Sequence, residues 1–415
     1  MNGREAVISI LSEIGVKASK RIHCLEDAES MARRRLPKLI YDFISGGAGS
    51  EIAATGNCQS FESIKLQPRV LRNVSVRTLS TEFLGKTYQY PFGLAPMGMC
   101  NLTHPKSDKI MASSARRVDI PVCLSTAAST SIEDMATMAG DNAWFQLYVS
   151  GDPEDAFTLV DRARDVGYDT LVFTVDAPEL ARRVRDAKNG FQVPFRIGPR
   201  QAWDFALHPQ WVFSMLRHGV PKLANFQSLS GKSKFDRNQS RAAADWDFLA
   251  RLRDYWPGNL IVKGVTSTTD AIHIKSAGVD AIYVSNHGGR QLDSVPAAID
   301  ILPAIREAVG PDYPLCFDSG IRSGEAIVKA IARGANFVML GRPVLFALAA
   351  EGERGFASML DIFAQDISMT LAQIGICDIN SVDRNVLAEH QMLTGMKAPS
   401  SLSVVEQFSH NISEA

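Results

Sequence analysis

LIVKGVTSTTDAIHIKSAGVDAIYVSNH, residues 260–287, holds two short apolar runs, 260–265 and 281–287, separated by room for one helix. Both runs are rich in β-branched residues and short enough for strands. Each also carries a residue that a plain core has no use for, Lys263 in the first and His287 in the second. Six similar runs lie outward from this unit, at 91–97 (PFGLAPM), 122–127 (VCLSTA), 144–149 (WFQLYV), 170–176 (TLVFTVD), 314–318 (PLCFD) and 337–341 (FVMLG). Successive runs start 31, 22, 26, 90, 21, 33 and 23 residues apart, so six intervals fit one β–α unit. The interval of 90 marks a large insertion after the fourth strand, placed at 189–245. The pattern predicts an α/β chain with eight parallel strands closed into a (β/α)8 TIM barrel. A doubly wound sheet shares the spacing, and the polar residues decide between the two. They collect at the strand ends as Pro96-Met97-Gly98, Ser125-Thr126, Gln146-Tyr148, Thr174-Asp176, Lys263, Ser285-His287, Asp318-Gly320 and Gly341-Arg342. Barrel enzymes build their active sites at that mouth.

The chain has 415 residues, 46% of them apolar, and a formal net charge of −1 with 21% charged residues. Such a balance gives no global field to recruit nucleic acid. Residues 27–60 read as helices, with a capped start at Asp27 and a second helix from Pro37. The expected organisation is an N-terminal helical segment (1–90), the barrel (91–385) and a polar tail (386–415). GGAGS at 46–50 follows a helical pattern and fails the dinucleotide fingerprint, so it reads as a loop. Six scattered cysteines form no C-x-x-C pair, which argues against a zinc site and for buried free thiols; no metal is expected. No signal peptide or bilayer-spanning run is found, making the cytoplasm the default address.

The loops after the last two strands hold DSGIRSG (318–324) and GRP (341–343). Barrels bind phosphate there, and Arg322 and Arg342 can each grip phosphate oxygens through a planar fork. SNHGGRQLD (285–293) puts Arg290 three residues after His287, a histidine able to act as a base near neutral pH. Asp176 can orient it, and Arg183 adds a second anion anchor. Taken together these residues point to catalysis on an anionic substrate.

SNHGGRQLD, TVDAPELARR (174–183), FQLYV (145–149), DSGIRSG and GRPV (341–344) together resemble the FMN-dependent 2-hydroxy-acid dehydrogenase and oxidase family, in order across residues 27–385. The resemblance implies FMN contacts at Pro96, Met97, Gly98, Ser125, Gln146 and Thr174. It places the phosphate among Asp318, Ser319, Gly320, Ile321, Arg322, Gly341 and Arg342, and Lys263, with Ser285 nearby, at the pyrimidine edge. Tyr148, Arg183 and Arg290 would hold a small 2-hydroxy acid. His287 would remove a proton from oxygen (hydride route) or carbon (carbanion route), with Asp176 pairing the imidazolium, to give the 2-oxo acid. The family also suggests a homo-tetramer.

Two positions depart from the family pattern. Phe43, in YDFISGGA, replaces a frequent tyrosine that helps hold the carboxylate. Ala127, in LSTAAST, replaces the tryptophan of glycolate-oxidase-like members. With Gly98 they suggest a substrate larger than glycolate, apolar or aromatic, with lactate as the alternative. Within the insertion, 202–226 sets Trp203, Phe205, Trp211, Phe213 and Phe226 beside Arg217, His218 and Lys222. It reads equally as a contact with the inner face of the cytoplasmic membrane, which favours a quinone acceptor, or as a packed lid, which leaves oxygen. An amine-oxidising or isomerising flavoenzyme on the same barrel is the competing reading, disfavoured by the two arginines.

Overall fold

The computed structural model describes residues 9–191, 197–225 and 240–388. A short antiparallel hairpin, β1 (Thr81–Phe83) and β2 (Lys86–Tyr88), precedes eight barrel strands. These are β3 (Phe92–Leu94), β4 (Val122–Ser125), β5 (Ala143–Leu147), β6 (Thr170–Thr174), β7 (Asn259–Val265), β8 (Ala281–Val284), β9 (Leu315–Phe317) and β10 (Phe337–Leu340). Each pairs in parallel with the next, and β10 pairs with β3 to close the barrel. The expected barrel is therefore the observed one. Its strands are buried on both faces, which is why they read as unbroken apolar runs rather than alternating ones.

Helices return from the end of each strand to the start of the next. Several begin where the sequence supplies a cap: the side chains of Ser131, Asp152, Asp245, Ser267 and Ser323 each accept a hydrogen bond from a first-turn backbone N–H. At the base, Phe83 and Tyr88 of the hairpin pack with Trp144 and Phe337 and plug the barrel. Above them Val172, Ile261, Ala281, Tyr283, Cys316 and Met339 continue the interior.

The flanks differ from expectation in detail. The first 90 residues include the β1–β2 hairpin as well as helices at Leu25–Arg35, Lys38–Ser45 and Ile52–Ser63. Asp27 does not cap the first of these; it lies inside the helix and accepts from the His23 backbone N–H. Val386 and Leu387 are buried, and Leu387 bridges to Leu66, so the packed body runs past 385. Residues 389–415, most of the expected tail, lie outside the described residues. All six cysteines are free, but Cys24 and Cys377 are exposed rather than buried.

Candidate active site

The C-terminal ends of the strands open into a cavity of about 1410 Å³, its solvent-facing mouth included.

His287 lies three residues beyond β8, where the chain leaves the ladder with φ +58°. A non-glycine residue in this left-handed region is strained, and such strain persists where surrounding contacts fix it. Here the His287 N–H donates to Ser285 Oγ at 3.0 Å, and the following Gly288 N–H donates to Ser319 Oγ at 3.0 Å. The imidazole Nδ1 is 2.9 Å from Asp176 Oδ1, and Nε2 is 3.4 Å from the Tyr148 hydroxyl. Asp176 reaches this position because β7 bulges at Gly264, φ +102°. A Cβ at Gly264 would stand 2.5 Å from the Asp176 side chain, so no other residue type fits there.

Burial lowers the pKa of His287, and the charges of Lys263 and Arg183 act the same way, together outweighing the pull of Asp176. Burial pushes the Asp176 carboxyl up, but the His287 charge and hydrogen bond, with Lys263, hold it below the usual carboxylate range. The pair thus stands at neutral pH as a carboxylate facing a neutral imidazole ready to accept a proton. Burial, then the charge of Asp176, raises Tyr148, which stays a phenol.

On the cavity floor Lys263 is buried and donates to Ser285 Oγ at 2.9 Å, with Asp318 Oδ2 at 3.3 Å. Burial would lower its pKa, but Asp318 and Asp176 raise it, so the ammonium is retained. Asp318 was expected among the phosphate contacts. Its carboxylate is instead occupied by Tyr283, Ser285, Ser319 and Lys263, which suits a partner of Lys263 better than a partner of an anion.

Arg322 and Arg342 line the far end of the cavity, at the starts of helices Gly324–Ala332 and Arg342–Glu351. Burial and the neighbouring Arg322 lower the Arg342 guanidinium to about 10. Two crowded cations at helix N-termini suit a phosphate. FMN fits these residues on a second count: the buried Gln146 Nε2, Thr174 Oγ1 and Arg342 Nε have no hydrogen-bond partner among the described residues. These polar atoms, at the ends of two strands and at the start of helix Arg342–Glu351, suit a polar ligand.

Of the remaining expected residues, Pro96, Met97, Gly98, Ser125, Ala127, Arg183, Arg290, Ser319, Gly320, Ile321 and Gly341 line the cavity. Gln146, Thr174, Ser285 and Asp176 stand behind that lining. Arg290 donates to the Gly46 carbonyl at 2.6 Å and lies over the Phe43 ring. Three features escaped the sequence. Phe191 stacks on Phe43 with ring centres 4.2 Å apart. Arg241 lies over Tyr148. Asn57 and Asn286 exchange two hydrogen bonds that tie the 286–289 turn to helix Ile52–Ser63. The first two lie at the ends of the insertion, outside its helices, and the asparagines lie far apart in sequence.

The sequence model of a family described as FMN-dependent dehydrogenase matches residues 32–389. This chain belongs to the FMN-dependent α-hydroxy acid dehydrogenase family. FMN is the family's cofactor, and the chain is an FMN-dependent enzyme. This family member is similar to (S)-mandelate dehydrogenase of Pseudomonas putida, 40% identical over 89% of this chain and 94% of the relative. It is also similar to L-lactate dehydrogenase of Pseudomonas syringae, at 36% over 89% and 99%. The crystal structure of a monotopic membrane protein, (S)-mandelate dehydrogenase, superposes with a TM-score of 0.84 at 39% identity, covering 89% of this chain and 99% of that one.

Proposed function

We propose that this flavoenzyme oxidises an L-2-hydroxy acid to the 2-oxo acid with His287 as the base. The arrangement that carries the reading is His287, oriented by Asp176 at 2.9 Å and met on its other nitrogen by Tyr148, in a cavity that also holds Arg183, Arg290 and Lys263. Arg183 and Arg290 bind the substrate carboxylate, and the Tyr148 hydroxyl helps to orient the C2 hydroxyl. Nε2 of His287 accepts the proton released from O2 or C2, and Asp176 stabilises the imidazolium. Pro96 to Gly98, Ser125, Gln146 and Thr174 would hold the flavin ring, and Ser319 to Arg322, Gly341 and Arg342 its phosphate. Bound there, FMN supplies the two-electron acceptor. Lys263, kept charged by Asp318, offsets negative charge at the cavity floor.

The space beside the base is apolar. Phe43, Phe191, Leu180 and Leu223 wall it, and Gly98 packs against Ala127, where a Cβ would stand 3.1 Å from the Ala127 carbonyl. These walls favour a C2 substituent larger than that of glycolate or lactate. Anaerobic mixing with acids from glycolate and lactate to mandelic and phenyllactic tests both points. Bleaching of bound FMN, fastest with the bulky members, is expected. Fastest bleaching by glycolate would sink the enlarged site, and bleaching by none would favour an amine or isomerase substrate.

The described part of the insertion has two faces, which supports attachment of the enzyme to a membrane surface and a quinone as acceptor. Trp211 donates to the Leu102 carbonyl at 2.8 Å and packs on Phe205, while Met215 is buried. On helices Pro199–Ala206 and Pro209–His218 and just beyond, Trp203, Leu207, Phe213 and Leu216 are all more than 60% exposed. Phe226 lies outside the described residues. No described helix is long and apolar enough to cross a membrane. Each such side chain contributes roughly 1.5–3 kcal/mol when fully buried in an apolar phase. The triple substitution Trp203→Ser, Phe213→Ser, Leu216→Ser should therefore cut co-sedimentation with phosphatidylglycerol vesicles more than tenfold. Wild-type enzyme that never sediments with them would end the membrane reading.

A further inference from the structure

We infer that Arg241 makes this site selective for 2-hydroxy acids carrying a second acidic group on the C2 substituent, an inference that rests on the hydroxy-acid reading above. Arg241 lines the cavity yet is only 8% exposed. Its backbone is held in place: the Arg241 N–H donates to the Pro178 carbonyl at 2.7 Å, and the preceding Ser240 carbonyl accepts from the Gly151 N–H. The segment is thereby fastened to the loops that follow β5 and β6, beside the base. The guanidinium lies 4.9 Å from the centre of the Tyr148 ring, and its Nε has no hydrogen-bond partner among the described residues. A ring face attracts a cation, but it does not replace the water that a buried guanidinium gives up. A buried cation of this kind calls for an anion.

Among the described residues no carboxylate pairs with Arg241, and its side chain lines the cavity. Six cations among the described residues line it: Arg183, Arg241, Lys263, Arg290, Arg322 and Arg342. Asp318 and Asp176 offset two of these, and Arg322 and Arg342 suit the doubly charged flavin phosphate. One substrate carboxylate between Arg183 and Arg290 does not reach the charge of Arg241, which has no carboxylate paired to it among the described residues. A second carboxylate at Arg241 neutralises it. The aromatic and aliphatic walls then accommodate an apolar spacer between the two acidic ends. Reduced to recognition chemistry, the ligand has a 2-hydroxy acid at the base, an apolar middle and an anionic tip under Arg241.

The test uses FMN-loaded enzyme and two matched pairs of acids: 2-hydroxyglutarate against 2-hydroxyvalerate, and 4-carboxymandelate against mandelate. Flavin bleaching gives kcat/KM for each. In at least one pair the acidic member should be preferred at least tenfold. Arg241→Met should lower that ratio at least tenfold, and Arg241→Lys, which keeps the charge, should retain part of it. The wild-type ratios require no variant to fold: a preference for the neutral member in both pairs overturns the inference. So does a preference for the acidic member that Arg241→Met, with flavin content unchanged, leaves intact. Bleaching by neither member of either pair would instead bring down the hydroxy-acid reading on which the inference rests.

Discussion

Replacing His287 by glutamine should lower kcat by about 10²–10⁴, the usual contribution of a positioned base, while FMN stays bound. Glutamine keeps a polar side chain near Asp176 and Tyr148 but cannot take a proton. The 450-nm absorbance of the purified variant reports flavin content, and rapid mixing reports the rate of bleaching. The pH profile adds a second signature. Burial, with Lys263 and Arg183, lowers the pKa of His287 below 6.5, so the imidazole is neutral and active at neutral pH. Activity is then lost as pH falls through that lowered pKa, and the acid limb of kcat/KM should lie below pH 6.5. In the glutamine variant this limb should vanish. Near-normal turnover, or an acid limb that survives the substitution, would remove His287 from the role of base.

Arg342→Met should weaken FMN binding by one to two orders of magnitude. A hydrogen bond to a charged group contributes roughly 1.5–3 kcal/mol, which is about ten- to more than a hundredfold in affinity. Arg342 also holds the free protein together, since its guanidinium donates to the carbonyls of Gly288 at 2.9 Å and Gly46 at 2.8 Å. Methionine keeps much of the apolar stem and removes both the charge and these donors. Arg342→Lys restores the charge without the planar fork and should recover only part of the affinity. Quenching of flavin fluorescence on titration of apoprotein gives the dissociation constant. A constant unchanged in Arg342→Met would mean that the phosphate lies elsewhere.

The barrel was legible because its strands are short and apolar and all but one interval fits a single β–α unit, and all eight fall where the runs at 91–97 through 337–341 put them. The predicted ends overran the ladder at several places. The run 281–287 pairs only through Val284, because Ser285 to His287 leave the sheet to form the site. Polar residues at strand ends therefore marked the mouth better than they marked the strands. Loops carried far less. RAAAD at 241–245 looks like featureless chain, and no spacing says that it folds back to reach the Pro178 carbonyl. Asp318 shows the other limit: sequence put it beside the glycines read as a phosphate site, but only its contacts pair it with Lys263.

The backbone oxygen of Gly46 accepts from Arg290 at 2.6 Å and from Arg342 at 2.8 Å. One atom of the N-terminal segment is thus a shared fulcrum between the arginine read as the substrate anchor and the arginine read as the phosphate anchor. A ligand that tightens either guanidinium shifts the geometry available to the other, so the two binding equilibria are linked. Linkage is reciprocal: whatever factor a filled flavin site imposes on affinity for the acid, the acid imposes on the flavin. Retention of the cofactor through dialysis would then depend on whether an acid was present.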